Sequence, residues 1–120
     1  MECKPEILRE VLMWCEKNLG VNTRVMSKDI QIEGLTSEQI IYHSILLVGA
    51  GYIEGKRVAS FEFNDVWLVR LTLDGHQFYD TLKSDTTWKH LKEYLEKMGL
   101  QAFPEIVKYL LPIIVAHLGL

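Results

Sequence analysis

The segment that most constrains this chain is a helix signal with a marked start and a marked end, between Thr36 and Gly51. Thr36-Ser37-Glu38-Gln39 has the pattern of a capping box, in which the first and fourth side chains bond each other's backbone N–H groups. We expect a helix to start there and to run to about Ala50, where Gly51 can adopt the left-handed conformation that closes a helix. Any fold of this chain must therefore place a helix at about residues 36–50, directly before the segment that begins at Tyr52.

That following segment contains two runs of β-branched and aromatic residues, which is typical of a β-hairpin. The pattern predicts strands at residues 52–58 and 66–71, joined by a long connection at residues 59–65. Upstream, Asp29-Ile30-Gln31-Ile32-Glu33 alternates with period two, as a half-buried strand does. We expect this third strand, at residues 30–32, to pair beside the hairpin and complete a three-stranded antiparallel sheet.

Helical periodicity marks the rest of the chain. An amphipathic helix is predicted at residues 5–19, with proline in its first turn, and Thr72 is the N-cap candidate for a short helix that ends near Ser84. Asp85 is expected to cap the next helix, which Gly99 would stop. A final helix at residues 104–118 is apolar on nearly all sides from Leu110 onward.

The length of 120 residues leaves room for one domain. We expect residues 1–84 to form its core and residues 85–120 to form a helical extension, packed on the core or forming a dimer interface. The first twenty residues mix charged with apolar positions, and no apolar run reaches the length of about 20 residues that a membrane span requires. The sequence therefore predicts a cytoplasmic protein with reduced cysteines and no membrane contact.

The order helix, short strand, helix, strand, loop, strand resembles a winged helix. More closely, the chain resembles the bacterial and prophage family known as domain of unknown function 2513. The motifs that carry this resemblance are Tyr42-His43, Ala50-Gly51-Tyr52-Ile53-Glu54, Asn64-Asp65-Val66-Trp67, Leu71-Thr72, Gly75-His76-Gln77-Phe78 and Asp85-Thr86-Thr87-Trp88. The resemblance implies an α+β winged helix with a three-stranded antiparallel sheet, a wing hairpin and C-terminal helices, in a mobile-element setting. It transfers no catalytic residues.

The charge pattern argues against DNA contact by the helix at residues 36–50. The segment from Asp29 to Gly55 contains no Lys or Arg, so the attraction of phosphates must come from elsewhere in the chain. If Ile40, Ser44 and Leu47 face the core, the opposite side is apolar. That side carries Ile41, Ile45 and Val48. An apolar stripe of this kind is typical of a protein contact or of packing under another segment.

The hairpin carries the remaining contact candidates. Lys56 and Arg57 could hold phosphates, with Tyr42 as a further nucleic-acid contact, or they could simply be the solvated edge of the hairpin. Phe61 and Phe63 could anchor a partner or fold back onto the core.

Catalytic and metal signals are weak. The four histidines His43, His76, His90 and His117 lack the spacing of a metal site, and no glycine motif that cradles phosphates is present. His43 is interpreted as a helix residue packed partly under the wing. The sequence predicts no enzyme, no metal and no cofactor.

The apolar C-terminal helix favours self-association. Leu110 and Ile114 belong to a set of aliphatic residues that occupies most of the helix circumference, and a 120-residue monomer can scarcely surround it. We therefore expect a homodimer and a non-enzymatic module that acts through protein–protein contacts. The alternative is a DNA-binding transcriptional regulator that contacts DNA through the wing.

Overall fold

The computed structural model describes residues 1–59 and 64–98, and its fold is mixed α+β, as predicted. The elements in chain order are α1 (Pro5–Asn18), β1 (Val25–Met26), a 3₁₀ turn (Ser27–Asp29), α2 (Ser37–Gly49), β2 (Ile53–Ala59), β3 (Asn64–Leu71), α3 (Leu73–Leu82) and α4 (Asp85–Met98). The chain divides into two compact units between Tyr79 and Asp80. The predicted boundary between residues 84 and 85 stays a prediction.

The capping box at the start of α2 is confirmed. The backbone N–H of Thr36 donates to Gln39 Oε1 at 2.9 Å, and the backbone N–H of Gln39 donates to Thr36 Oγ1 at 3.2 Å. At the other end, Gly51 has a φ of 83°, which is the left-handed conformation expected there. Local sequence therefore fixes both ends of α2.

The sheet has three antiparallel strands with β3 in the middle, in the order β1-β3-β2. The hairpin register runs from Ile53 opposite Leu71 to Ala59 opposite Asn64, so only residues 60–63 separate the two strands. The predicted connection at residues 59–65 was too long. Asn64 and Asp65 have loop-like composition, but they pair with Ala59 and Val58.

A β-bulge interrupts this hairpin near its base. Glu54 pairs with Arg70 and Gly55 with Leu68, which leaves Val69 as an extra residue in β3. Strict alternation after Val66 and Leu68 would turn Arg70 inward, yet Arg70 is exposed and Leu71 is buried. The extra residue therefore shifts the phase of the strand.

The first strand is not where the sequence pattern placed it. Strand β1 is Val25–Met26, opposite Leu68 and Trp67, and residues 30–32 form no strand. The chain leaves β1 through the 3₁₀ turn, after which Ile30 is buried and Ile32 is half-buried. The alternation at residues 29–33 therefore reflects alternate burial of an unpaired segment.

Most of the predicted core is confirmed. The predicted core residues that are buried are Leu8, Leu12, Ile40, Leu47, Ile53, Leu68, Leu71 and Phe78. Trp88, also predicted for the core, is half-buried. The buried set comes from α1, one side of α2, both hairpin strands and α3.

The start of α3 is fastened to the connection between α2 and β2. Thr72 Oγ1 accepts the N–H of Gly75 at 3.0 Å, which confirms the predicted N-cap, and donates to the carbonyl of Gly51 at 2.5 Å. The ring centroids of Tyr52 and Phe78 lie 4.5 Å apart. Gly75 itself is required, because a Cβ there would overlap the carbonyl oxygen of Tyr52.

The cap of α4 is Ser84 rather than Asp85. The N–H of Thr87 donates to Ser84 Oγ at 3.3 Å, so the helix begins at Asp85 itself. The predicted stop at Gly99 and the predicted helix at residues 104–118 lie outside the described residues. Among the helices that are described, none combines the length and the apolar character that crossing a membrane would take.

Gly75→Ala should destabilise the protein, because the added methyl group must displace the Tyr52 carbonyl or the start of α3. Overpacking of this kind typically costs about 1–3 kcal/mol of the free energy of unfolding. Gly49→Ala is the matched control: nothing lies within 4 Å of its Cβ position, and it ends a helix. Helix propensity predicts that this control is neutral or stabilising by up to about 1 kcal/mol. Urea denaturation of the two variants measures the difference, and equal stabilities would contradict the packing described here.

Candidate functional site

The outward side of α2 is less exposed than the sequence indicated. Ile40, Ser44 and Leu47 are buried as expected, but Ile41, Ile45 and Val48 are half-buried rather than exposed. Val48 packs towards β2, since its Cγ2 lies 2.9 Å from the Cβ position of Gly55. We call Ile41, Ile45 and Val48 the α2 patch. Ile41 and Ile45 lie one helical turn apart within it.

Tyr42, the predicted nucleic-acid contact on this helix, is half-buried. Its ring meets that of His43 edge-on, with the centroids 5.4 Å apart. Tyr42 therefore packs against its own helix neighbour.

His43 links α2 to the start of α1. The ring is buried, and its Nδ1 lies 2.7 Å from the carbonyl of Gln39 while Nε2 accepts the backbone N–H of Lys4 at 2.9 Å. A carbonyl can only accept, so Nδ1 carries a proton. Because Nε2 accepts an N–H, it carries none, and the imidazole is neutral. Burial lowers the pKa of His43; the Gln39 hydrogen bond opposes that shift and the Lys4 charge adds to it. His43 therefore contributes to the α1–α2 contact. Its predicted packing under the hairpin stays a prediction.

The outer face of the sheet brings together residues that sequence reasoning left apart. Val66 and Leu68 are buried, so Trp67 between them points to the other side of β3. Its cross-strand neighbours are Met26 on β1 and Lys56 on β2. The guanidinium of Arg24 lies over the indole, 4.4 Å from its centroid.

A surface ion pair continues this face towards the bulge. Arg70 Nη1 lies 2.7 Å from Glu54 Oε2, with both side chains about half exposed. We call the set the Trp67 face: Arg24, Met26, Glu54, Lys56, Trp67 and Arg70. Three of its members are cationic and one is anionic, in a chain whose net charge is -3.

The sequence contained only part of the signal for this face. Lys56 and Arg57 were recognised as exposed cations and are exposed. Trp67 could have been found from the alternation of β3, whereas Arg24 lies in a segment without periodicity. The other predicted contacts, Phe61, Phe63, Leu110 and Ile114, lie outside the described residues.

An open pocket of about 430 Å³ lies beside α1. Its lining residues are Glu10, Met13, Trp14, Glu16, Lys17, Gln31, Ile32 and Tyr79. Sequence reasoning missed it because Met13 and Trp14 flank the core stripe of α1 rather than belong to it. The lining holds no buried ionisable group, so the pocket offers shape and apolar surface rather than chemistry.

Neither thiol is activated as a nucleophile. Burial raises the pKa of Cys15 to about 12, and burial together with the neighbouring Glu2 raises the pKa of Cys3. Both are free. Over residues 1–59 and 64–98, no three His, Cys, Asp or Glu side chains are placed to hold a metal ion.

Native-state thiol labelling should separate the two cysteines. Cys3 is half-buried and should react with a thiol reagent in the folded protein, whereas buried Cys15 should react only after denaturant is added. Cys3→Ser is the control and should abolish the native reaction. Equal rates for both thiols in the folded protein would contradict the packing of α1.

Stability should fall as the pH falls below the ordinary histidine pKa of about 6.5. The folded protein favours neutral His43, so between its lowered pKa and 6.5 the unfolded chain binds the extra proton and is favoured. The slope can reach about 1.4 kcal/mol per pH unit. Urea denaturation between about pH 7.5 and 5.5 measures it.

His43→Gln should flatten this pH dependence, and His76→Gln, an exposed residue of α3, should preserve it. If the His43 variant keeps the full slope, His43 is not the group responsible.

Comparison with known proteins places the chain in a family. It is similar to an "Uncharacterized protein" of Haemophilus influenzae, with 29% identity over 113 residues, which is 94% of each chain. No solved structure matches it. The family model described as "Hypothetical protein (DUF2513)" matches residues 3–101, most of the chain. The chain therefore belongs to the DUF2513 family.

Proposed function

We propose that this chain is a non-enzymatic binding module of winged-helix form that acts through protein–protein contacts. The element order supports the winged-helix form, since α1, β1, α2 and the β2–β3 hairpin follow one another as they do in that fold. The 3₁₀ turn at Ser27–Asp29 stands where a helix-turn-helix has its first helix. On this proposal the module derives from a phage or another mobile element and works in the cytoplasm, where thiols stay reduced.

The α2 patch carries the proposal. Between Asp29 and Gly55, the segment that contains α2, there is no cation to hold phosphates, and Tyr42 is packed against His43. Ile41 and Ile45 are half-buried, and a partner that removes their remaining apolar surface from water stabilises the complex by about 25 cal/mol per Å². These properties suit a protein partner better than a DNA groove.

A second copy of the chain is the partner we propose. A two-fold axis lets one apolar patch cover its own counterpart, so a single patch is sufficient for a dimer. The apolar residues around Leu110 and Ile114, outside the described part of the chain, are the predicted second contribution to this interface.

The alternative function is DNA binding through the wing. Lys56 and Arg57 are exposed on β2, which is the observation that favours it. Against it, α2 stands in the position of the recognition helix, which makes most of the base contacts in helix-turn-helix proteins, and α2 carries no Lys or Arg.

The mass of the protein in solution tests the proposal. We expect sedimentation at micromolar concentration to give a dimer, and Ile45→Asp to weaken dimerisation at least about tenfold, because a charge in an apolar interface is left without a partner. Ser37→Asp is the matched control: it adds the same charge at an exposed position in the first turn of the same helix. A wild-type mass that stays at 13.9 kDa at every concentration would refute the dimer.

A further inference from the structure

We propose that the Trp67 face is a binding site for single-stranded nucleic acid, in which a base stacks on the Arg24–Trp67 pair and Lys56 holds an adjoining phosphate. This proposal goes beyond the protein contacts proposed for α2. It concerns the outer face of the sheet, whereas α2 contributes Ile40 and Leu47 to the core.

The first step is the geometry around the indole. Trp67 lies on the middle strand, between Met26 on one side and Lys56 on the other. Neighbouring strands are about 5 Å apart, so Lys56 can reach a phosphate next to a base that lies at Trp67. Arg24 already stacks over the indole at 4.4 Å, and a guanidinium plane is itself a surface on which bases stack.

The second step is charge complementarity. Arg70 is paired with Glu54. Among the described residues no carboxylate forms an ion pair with Arg24 or Lys56, and the cation–π contact of Arg24 does not neutralise its charge. Arg24 and Lys56 are both exposed. The Trp67 face is therefore locally positive on an acidic protein, and its ligand is anionic.

The third step separates the classes of anion. Single-strand binding proteins combine a cationic surface with aromatic side chains on which unpaired bases stack. Duplex DNA keeps its bases stacked inside the helix, so it offers no free base face to the Arg24–Trp67 pair. An acidic peptide would use the cations but not the indole. Trp67 therefore favours an unpaired base.

Fluorescence anisotropy of labelled oligothymidylate and oligouridylate, about 12 nucleotides long, tests the site with the full-length protein. We expect binding that weakens steeply between about 50 and 200 mM salt. Trp67→Leu should weaken it by about tenfold or more, and Trp67→Phe should retain most of it because the ring still stacks. Lys56→Glu should weaken binding and reduce its salt dependence.

The control variants are Trp14→Leu and Lys17→Glu, which repeat the two substitutions at the pocket beside α1, away from the Trp67 face. Both should leave oligonucleotide affinity unchanged. Replacement of half-buried Trp67 can disturb folding, so Arg24→Ala, at an exposed position outside any helix or strand, provides a second test. It should weaken binding several-fold while urea denaturation shows unchanged stability.

Three results would overturn the proposal: no binding at about 50 mM salt, equal affinity for duplex DNA or polyglutamate, or an affinity that neither Trp67→Leu nor Arg24→Ala changes. The Ile45→Asp variant keeps the two proposals apart. If it loses the dimer and still binds the oligonucleotide, the site on the sheet stands on its own; if wild-type protein dimerises without binding oligonucleotide, only the sheet proposal fails.

Discussion

The buried carboxylate of Asp65 is the interaction on which the arrangement of this fold depends. It accepts hydrogen bonds from the Ser27 hydroxyl and from the backbone N–H groups of Lys28 and Val66, and both Asp65 and Ser27 are fully buried. A buried charge is tolerated only when such donors satisfy it. Because Asp65 belongs to the central strand, these bonds fix the turn after β1 against β3 and so determine where the chain re-enters the core.

The packing of α2 against the sheet separates the two proposed binding surfaces. A three-residue 3₁₀ turn lies between β1 and α2, and α2 packs against the sheet, with Ile40 and Leu47 buried and Val48 against the hairpin. His43 then holds the start of α1 on the same helix. Ile41 and Ile45 on α2 stay half-buried, and Trp67 points to the outer face of the sheet. The two proposed binding surfaces therefore lie on different elements, one on α2 and the other on the outer face of the sheet.

Elements that are encoded locally could be predicted from the sequence. Thr36 and Gln39 close the capping box, Gly51 ends α2, and Thr72 caps α3, because each of these signals acts over a few residues. Strand β1 could not be predicted, because Val25–Met26 is defined by pairing with β3, about forty residues away in sequence. The Trp67 face was missed for the same reason: Arg24, Lys56 and Trp67 become neighbours only once the register is known.

The bulge at Val69 lets β3 hold one more residue than the paired part of β2 without changing which of its side chains face the core. Because Val69 is held as an unpaired extra residue, Arg70 faces outward, where it reaches Glu54, and Leu71 faces the core. The bulge, rather than the number of residues in β3, therefore decides which side of the sheet Arg70 and Leu71 occupy. Deleting Val69 would not exchange inside and outside, because Leu68, Arg70 and Leu71 would then alternate in a regular strand as they do across the bulge. Pairing Val69 in a regular ladder would instead turn Arg70 inward and Leu71 outward. The base of the hairpin can therefore lose this one residue without moving the anchor of α3 at Thr72 to the other side of the sheet.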